Sequence, residues 1–262
     1  MNVTCKICSS ESEFVFSATV LQKYEVKYYH CPYCGFLQTE EPYWLDEAYS
    51  FAIGAEDTGL LKRNYLLTKR TSVLINFFFN KSDKFLDYAG GYGIFVRLMR
   101  DIGFDFYWKD SYAENLIARG FEYNADDKIE LITAFECFEH FVNPIEEIDK
   151  IFTISDSVLF STRIFHGKPP KPDDWWYYSL NAGQHISLYS RQTLRSIADK
   201  FNLYLNTDNK SIHLFSKKKI NNTYFNLLLK LSVMGLVKLT NLSMKSKTDS
   251  DFELLSDKKN TH

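Results

Sequence analysis

At 262 residues, 45% of them apolar and 24% charged, the chain has enough material for one catalytic domain with appendages and a substantial core. Its 31 Lys and Arg against 33 Asp and Glu leave a net charge of −2, which gives no electrostatic reason to expect a nucleic-acid partner. The first residues are polar and cysteine-bearing rather than basic then apolar, and no uninterrupted apolar run reaches spanning length. Neither a signal peptide nor a membrane span is therefore expected, and a cytoplasmic address follows.

In chain order, the first signal is a pair of C-x-x-C phrases, Cys5-Lys6-Ile7-Cys8 and Cys31-Pro32-Tyr33-Cys34, with 22 residues between them. Each phrase aims two thiolates at one point, so the two together supply four tetrahedral sulfur ligands for a zinc ion. Segments 14–20 and 24–29 read as two short strands joined by Leu21-Gln22-Lys23, and Gly35 suits a tight knuckle, so residues 1–42 read as a zinc ribbon. Disulfides are disfavoured without secretion, and a redox pair does not recur twice at this spacing. With four protein sulfurs the site is closed and structural; His30, beside Cys31, is a substitute ligand of lower standing. Cys137 stands alone and reads as core.

Residues 43–80 read as a helical linker or lid, opening with a break at Glu40-Glu41-Pro42 and containing a helix over 60–79 with apolar residues at helical spacing. Strand and helix then alternate. Strands are expected at 84–88, 105–109, 130–135 and 158–162, with a short, weak one at 121–124. Helices are expected at 94–102, 114–119 and 144–152, the last with Pro144 in its first turn. A long aromatic loop over 165–189 carries Trp175-Trp176-Tyr177-Tyr178, suited to stacking on a sugar ring, closing as a lid, or packing on the domain. Ser190 caps a helix over 191–201, and segments 203–207 and 211–216 form a closing antiparallel hairpin. Such alternation predicts an α/β fold, a parallel sheet covered by helices on both faces. Beyond 217, the apolar stretch 224–242 reads as a helix packed on the domain or on a dimer partner, in preference to one lying on a lipid surface. Residues 245–262 read as disordered.

The most informative phrase is Phe85-Leu86-Asp87-Tyr88-Ala89-Gly90-Gly91-Tyr92-Gly93, a strand, a glycine turn and a helix start. Such a turn lets a ligand lie against bare backbone in front of unpaired helix N–H groups. The spacing Asp87-x-Ala89-x-Gly91-x-Gly93 lacks the last glycine of a dinucleotide fingerprint and resembles motif I of class I S-adenosylmethionine (SAM) methyltransferases. Ala89 stands where that pattern has its first glycine. Alanine there calls for a negative φ, with Gly90 supplying the freedom.

Two further phrases extend the likeness. Phe135-Glu136-Cys137-Phe138-Glu139-His140 resembles the E-x-x-E-H phrase of small-molecule methyltransferases. Gly183-Gln184-His185-Ile186-Ser187-Leu188-Tyr189-Ser190 resembles the G-Q-H-x-S-x-Y-S phrase of zinc-ribbon methyltransferases from bacterial sugar and surface-polysaccharide pathways. The resemblance implies a Rossmann-like, seven-stranded core over 81–217. It implies SAM held by Asp87, Ala89, Gly90, Gly91 and Gly93, with Asp110 accepting both ribose hydroxyls and Phe135 and Glu136 lining the amino-acid end. It also implies His140 or His185 as general base, oriented by a carboxylate such as Glu139. The substrate it implies is a small polar acceptor, a nucleotide sugar or glycan precursor. O-methylation is favoured over C-methylation because the chain is short for a further large domain. An RNA methyltransferase and a non-catalytic ribbon-and-Rossmann module are the alternatives, and a homo-oligomer stays open.

Overall fold

The computed structural model describes residues 3–49 and 57–259. Strands β1 (Val3–Thr4), β2 (Glu11–Val20), β3 (Tyr24–His30) and β4 (Leu37–Thr39) are followed by helices α1 (Leu45–Ala48) and α2 (Leu60–Phe78). Then come β5 (Lys84–Tyr88), α3 (Ile94–Ile102), β6 (Asp105–Lys109), β7 (Ile129–Phe135), α4 (Pro144–Phe152) and β8 (Ser157–Ser161). The chain continues through β9 (Ser187–Leu188), α5 (Arg191–Lys200), β10 (Tyr204–Thr207) and β11 (Ile212–Ser216). It closes with α6 (Asn222–Leu231), α7 (Val237–Thr240) and α8 (Thr248–Lys259).

One sheet has the order β1-β2-β3-β4-β9, the other β10-β11-β8-β7-β5-β6. In the second, β5 runs parallel to β6 and β7, and β10 and β11 form the antiparallel hairpin. This is a Rossmann-like α/β sheet of six strands, where seven were expected. Segment 121–124 contributes a single parallel bridge, Trp108 to Glu122. Its ladder is confined to the two bonds with Trp108, from Trp108 N–H to Phe121 O and from Tyr123 N–H to Trp108 O; a turn closed by Asp127 N–H to Asn124 O then ends it. The helix expected at 114–119 is also absent. The N–H groups of Leu116 and Ile117 go to Tyr92 O, and that of Ala118 goes to the Asn115 side chain, so the i−4 pattern does not form.

By compactness the chain divides into two units that interleave in sequence. The first contains 3–49, 135–153 and 158–219 of the described residues. Its core joins Val20, Val26, Tyr28 and Leu37 from the N-terminal strands to Trp44, Phe165, Trp175, Tyr177, Tyr178 and Leu188. Residues past Pro42 stay with this unit: Trp44 is buried and its indole N–H donates to Gly183 O (2.8 Å), while Gln184 donates to Ala48 O (2.8 Å). The phrase 183–190 supplies β9, paired to β4 as Leu37 to Leu188 and Gln38 to Ser187. Cys137 is buried, as expected.

The second unit contains 57–134, 154–157 and 220–259 of the described residues. Here the expectation of a disordered tail fails. Residues 248–259 form α8, and Asp251 receives a bidentate pair from Arg100 on α3 (2.8 and 2.7 Å), both side chains being buried. The polar composition of the tail was misleading because one of its acids matches a buried arginine far away in sequence. Gly103 lets the tail approach: a Cβ there would lie 2.4 Å from Lys245 O. Residues 50–56 of the expected linker and 260–262 of the tail lie outside the described residues.

Candidate functional sites

In the second unit, β5 delivers Asp87 into the interior between Trp108 on β6 and Thr133 on β7. Thr133 Oγ1–H donates to Asp87 Oδ1 (2.6 Å). Burial, opposed by that bond and assisted by the charge of Asp110, raises the Asp87 carboxyl to about 7. The turn after β5 overturns the expectation for Ala89. Its φ is +57°, left-handed, and Gly90 is not among the positive-φ residues. An L-residue held there costs on the order of 1 kcal/mol, and such outliers concentrate where a site dictates the backbone. Gly90 is needed for space, since a Cβ would meet Trp108 Cδ1 at 2.8 Å and Asp87 Oδ2 at 3.0 Å. Gly91 (φ +52°) is the reverse case: a Cβ would meet nothing within 4 Å, so this side of the turn is open to a ligand. Gly93, also left-handed, caps α3 where a Cβ would lie 2.7 Å from Asn115 Oδ1.

Asp110 follows β6 and braces this turn. Its Oδ2 accepts Gly91 N–H (2.9 Å), and its Oδ1 accepts the N–H groups of Tyr112 (2.7 Å) and Ala113 (2.9 Å). A carboxylate has about four acceptor positions. One, on Oδ2, is left by these bonds among the described residues. Trp108 Nε1–H donates to Gly91 O (2.8 Å) and completes the brace. Sequence reasoning missed Trp108, which sits mid-strand with nothing local to mark it.

In the first unit, the chain leaves β7 through Phe135 and Glu136. Glu136 is left-handed (φ +51°), its N–H donates to Ser161 Oγ (2.9 Å), and Ser161 O–H donates to its carboxylate. A single helical turn, Phe138–His140, is pinned by Phe138 stacked on Phe160 with ring centroids 4.1 Å apart. That pin sinks Glu139 and directs His140 toward His185, 45 residues later; the two rings meet edge to face with centroids 5.0 Å apart. The ligating atoms of Glu139, His140 and His185 all lie within 4.8 Å of one another.

Tyr177 ties this cluster together. Its O–H donates to Glu139 Oε1 (2.7 Å), and its carbonyl lies 2.6 Å from His185 Nδ1. A carbonyl only accepts, so His185 Nδ1 carries the hydrogen and Nε2 the lone pair. Tyr49 O–H lies 3.1 Å from His140 Nδ1. Burial, with the neighbouring His185 adding to it, lowers His140 to about 3; burial also lowers His185. Burial and then the charges of Glu139 and Glu136 push the Tyr177 hydroxyl well up. Both histidine shifts favour the neutral imidazole. Of the aromatic run, Trp175, Tyr177 and Tyr178 are buried and only Trp176 is exposed (73%), so most of it packs rather than forming a lid. Tyr177 and Tyr49 were not singled out as polar partners, because the run reads as apolar bulk.

The same unit gathers Cys5, Cys8, Cys31 and Cys34. Cys5 Sγ lies 3.5 Å from Cys34 Sγ and Cys8 Sγ 3.5 Å from Cys31 Sγ, and all four sulfurs fall within 4.8 Å of one another. Four sulfurs on a zinc at about 2.3 Å stand roughly 3.8 Å apart. The observed set fits that ion and does not form disulfides. Ile7 N–H points at Cys5 Sγ (3.4 Å), as a metal knuckle requires, and Thr193 O–H holds Cys34 O (3.0 Å).

A glycine turn after the first strand of the sheet, braced by an acid after the next strand, defines a Rossmann-like α/β domain. Within that class the chain belongs to the family described as "Methyltransferase domain", whose model matches residues 62–207. No curated protein matches the sequence. Similar solved structures include the mitomycin 7-O-methyltransferase MmcR, at 12% identity over 67% of this chain and 60% of that one, with a TM-score of 0.45. Others are the plantazolicin methyltransferase BpumL in complex with SAH (10% identity, 68% and 95% covered, TM-score 0.46) and the magnesium protoporphyrin IX methyltransferase of Synechocystis PCC 6803 with bound SAM (13% identity, 67% and 90% covered, TM-score 0.40). The chain thus spans less than two thirds of the mitomycin enzyme's length.

Proposed function

We propose that the protein transfers a methyl group from SAM to a small polar acceptor, a sugar or glycan precursor, with O-transfer favoured over C-transfer. The observation that carries the reading is the braced turn. Ala89 and Gly91 hold left-handed backbone, Gly91 faces open space, and Asp110 keeps one acceptor position beside it, inside a segment matched by the methyltransferase family. SAM supplies an electrophilic methyl on a sulfonium. The chain's residues do the rest: the turn binds, Asp110 takes a ribose hydroxyl, and a neutral imidazole holds the acceptor's proton. His185 suits that role best, because Tyr177 fixes its hydrogen on Nδ1 and so puts the basic lone pair on Nε2. Glu139 acts through Tyr177 as a positioning group. A structural zinc on Cys5, Cys8, Cys31 and Cys34 belongs to the same proposal.

Calorimetry tests the binding half. SAM and its demethylated product are expected to bind and NAD is not. Gly91→Val, which puts a β-branched side chain at φ +52° on the open side of the turn, is expected to weaken SAM by about tenfold or more. Unchanged affinity in that variant, or no heat from wild type, sinks the site. Acceptors are then sought by incubating the protein with SAM and a panel of nucleotide sugars and measuring a mass gain of one methyl. For the ribbon, elemental analysis is expected to give one zinc per chain, and chelation should expose the N-terminal strands to protease, since metal binding there is folding energy. Protein purified without zinc and still protease-resistant in this segment contradicts it.

A further inference from the structure

Between residues 220 and 247 the sequence holds four lysines (230, 238, 245 and 247) and no acidic residue, in a chain whose net charge is −2. That stretch contains α6, a π-turn at Ser232–Leu236, and α7. One stripe of it is satisfied: Phe225, Leu228 and Leu229 are buried, and Ser72 on α2 donates to Asn241. The neighbouring apolar side chains are not covered. Leu227 is exposed, as are Met234 (68%), Leu239 (66%) and Leu242 (80%). Leu227, Leu231 and Met234 recur at four- and three-residue spacing and so share one side of the helix. By length and composition 222–243 could cross a membrane, with a mean hydropathy of 1.3, yet only 22% of its most apolar window is buried, so it is not a core helix. Gly235 (φ +117°) breaks the helical backbone in the middle, which does not suit a straight span.

We propose that this segment is a docking face for an anionic membrane surface, lying in the interface with its uncovered leucines and methionine among the acyl chains. Exposed Lys230, Lys238 and Lys245 are long enough to place their charges among the headgroups while their stems stay at the apolar level. Charge decides the occupant. A second copy docked through the same face would set the exposed Lys230, Lys238 and Lys245 against their own copies, whereas an anionic bilayer complements them. The inference does not depend on the methyl-transfer reading.

The test uses the full chain and vesicles of phosphatidylcholine alone or with one lipid in three replaced by phosphatidylglycerol. Flotation is expected to show at least about tenfold tighter partitioning onto the anionic vesicles at low salt, since each lysine near such a surface adds attraction. That preference should fade by 1 M salt, where the screening length falls to about 3 Å. Leu227→Ser, Met234→Ser, Leu239→Ser and Leu242→Ser combined, all at exposed positions, should abolish partitioning while SAM calorimetry stays at the wild-type value. No partitioning at low salt, equal partitioning by the quadruple variant, or a light-scattering dimer that this variant dissociates each overturns the proposal. A failure of SAM binding in both proteins would instead count against the function proposed above.

Discussion

Replacing His185 or His140 by alanine is expected to lower kcat by roughly 100-fold or more, the usual worth of a general base, while SAM affinity stays constant because the loss lies in the transition state. The larger loss is expected at His185, whose Nε2 carries the lone pair because Nδ1 bonds Tyr177 O (2.6 Å). The pH profile separates this structure from the simpler reading of the sequence. A solvent-exposed imidazole would make the rate rise through neutrality. Burial holds His140 at about 3 and lowers His185 from its ordinary value, so the rise of kcat with pH is expected to lie below the neutral range in which an exposed imidazole titrates. Stability carries the opposite side of this shift. Below the ordinary histidine value of about 6.5, the unfolded chain takes up protons that the folded one refuses, so stability falls as pH falls toward the folded value. His140→Ala should reduce that slope without removing it. His213, buried between Thr207 and Thr162 O and lowered to about 4, contributes its own share. Near-normal turnover in both alanine variants, measured on the acceptor found in the nucleotide-sugar panel, would remove the imidazoles from the chemistry.

Arg100→Ala is expected to cost about 3–5 kcal/mol in urea unfolding, the range for breaking a buried pair and stranding one charge. Arg100 donates from Nε and Nη2 to Asp251, and from Nη1 to Asp105 (2.8 Å) and Phe106 O (2.9 Å); its guanidinium lies 3.7 Å above the Phe121 ring. Removing it leaves buried Asp251 with Arg97 (2.9 Å) as its cationic partner among the described residues. Asp251→Ala should cost less, because Arg100 keeps Asp105 and Phe106 O, and it should speed proteolysis and amide exchange in α8. Burial alone would raise Asp251, but Arg100 and Arg97 outweigh it and hold the carboxyl below its usual value. This stabilisation is therefore present above about pH 4 and lost as acid titrates through the lowered value. An Arg100→Ala protein within about 1 kcal/mol of wild type, with α8 equally protected, would show that the tail does not depend on the pair.

Local signals carried much of the architecture. The alternation in Lys84–Tyr88, Ile94–Ile102 and Asp105–Lys109 sets strand and helix within a residue, since period and stop residues are properties of adjacent positions. The two C-x-x-C phrases likewise announced a four-sulfur cluster, because each knuckle is local and only their meeting is not. Segment 114–119 failed for a reason that no window reveals: its N–H groups find Tyr92 O and Asn115 Oδ1 before their own i−4 carbonyls.

The sequence by itself determined the Rossmann-like class, the glycine turn, the cysteine set and the identity of Glu139, His140 and His185 as polar groups in an apolar setting. Only the tertiary structure decided how they are used. It put Ala89 rather than Gly90 in left-handed backbone, because Trp108 and Asp87 crowd Gly90. It committed Asp110 to three backbone N–H groups, and it brought Tyr177 to Glu139 and His185. It also turned a polar tail into a helix fastened to Arg100. The reason is common to all four. Torsional strain, acceptor occupancy and the burial of charge depend on which atoms meet across the fold, and that is set by long-range packing rather than by the order of residues along the chain.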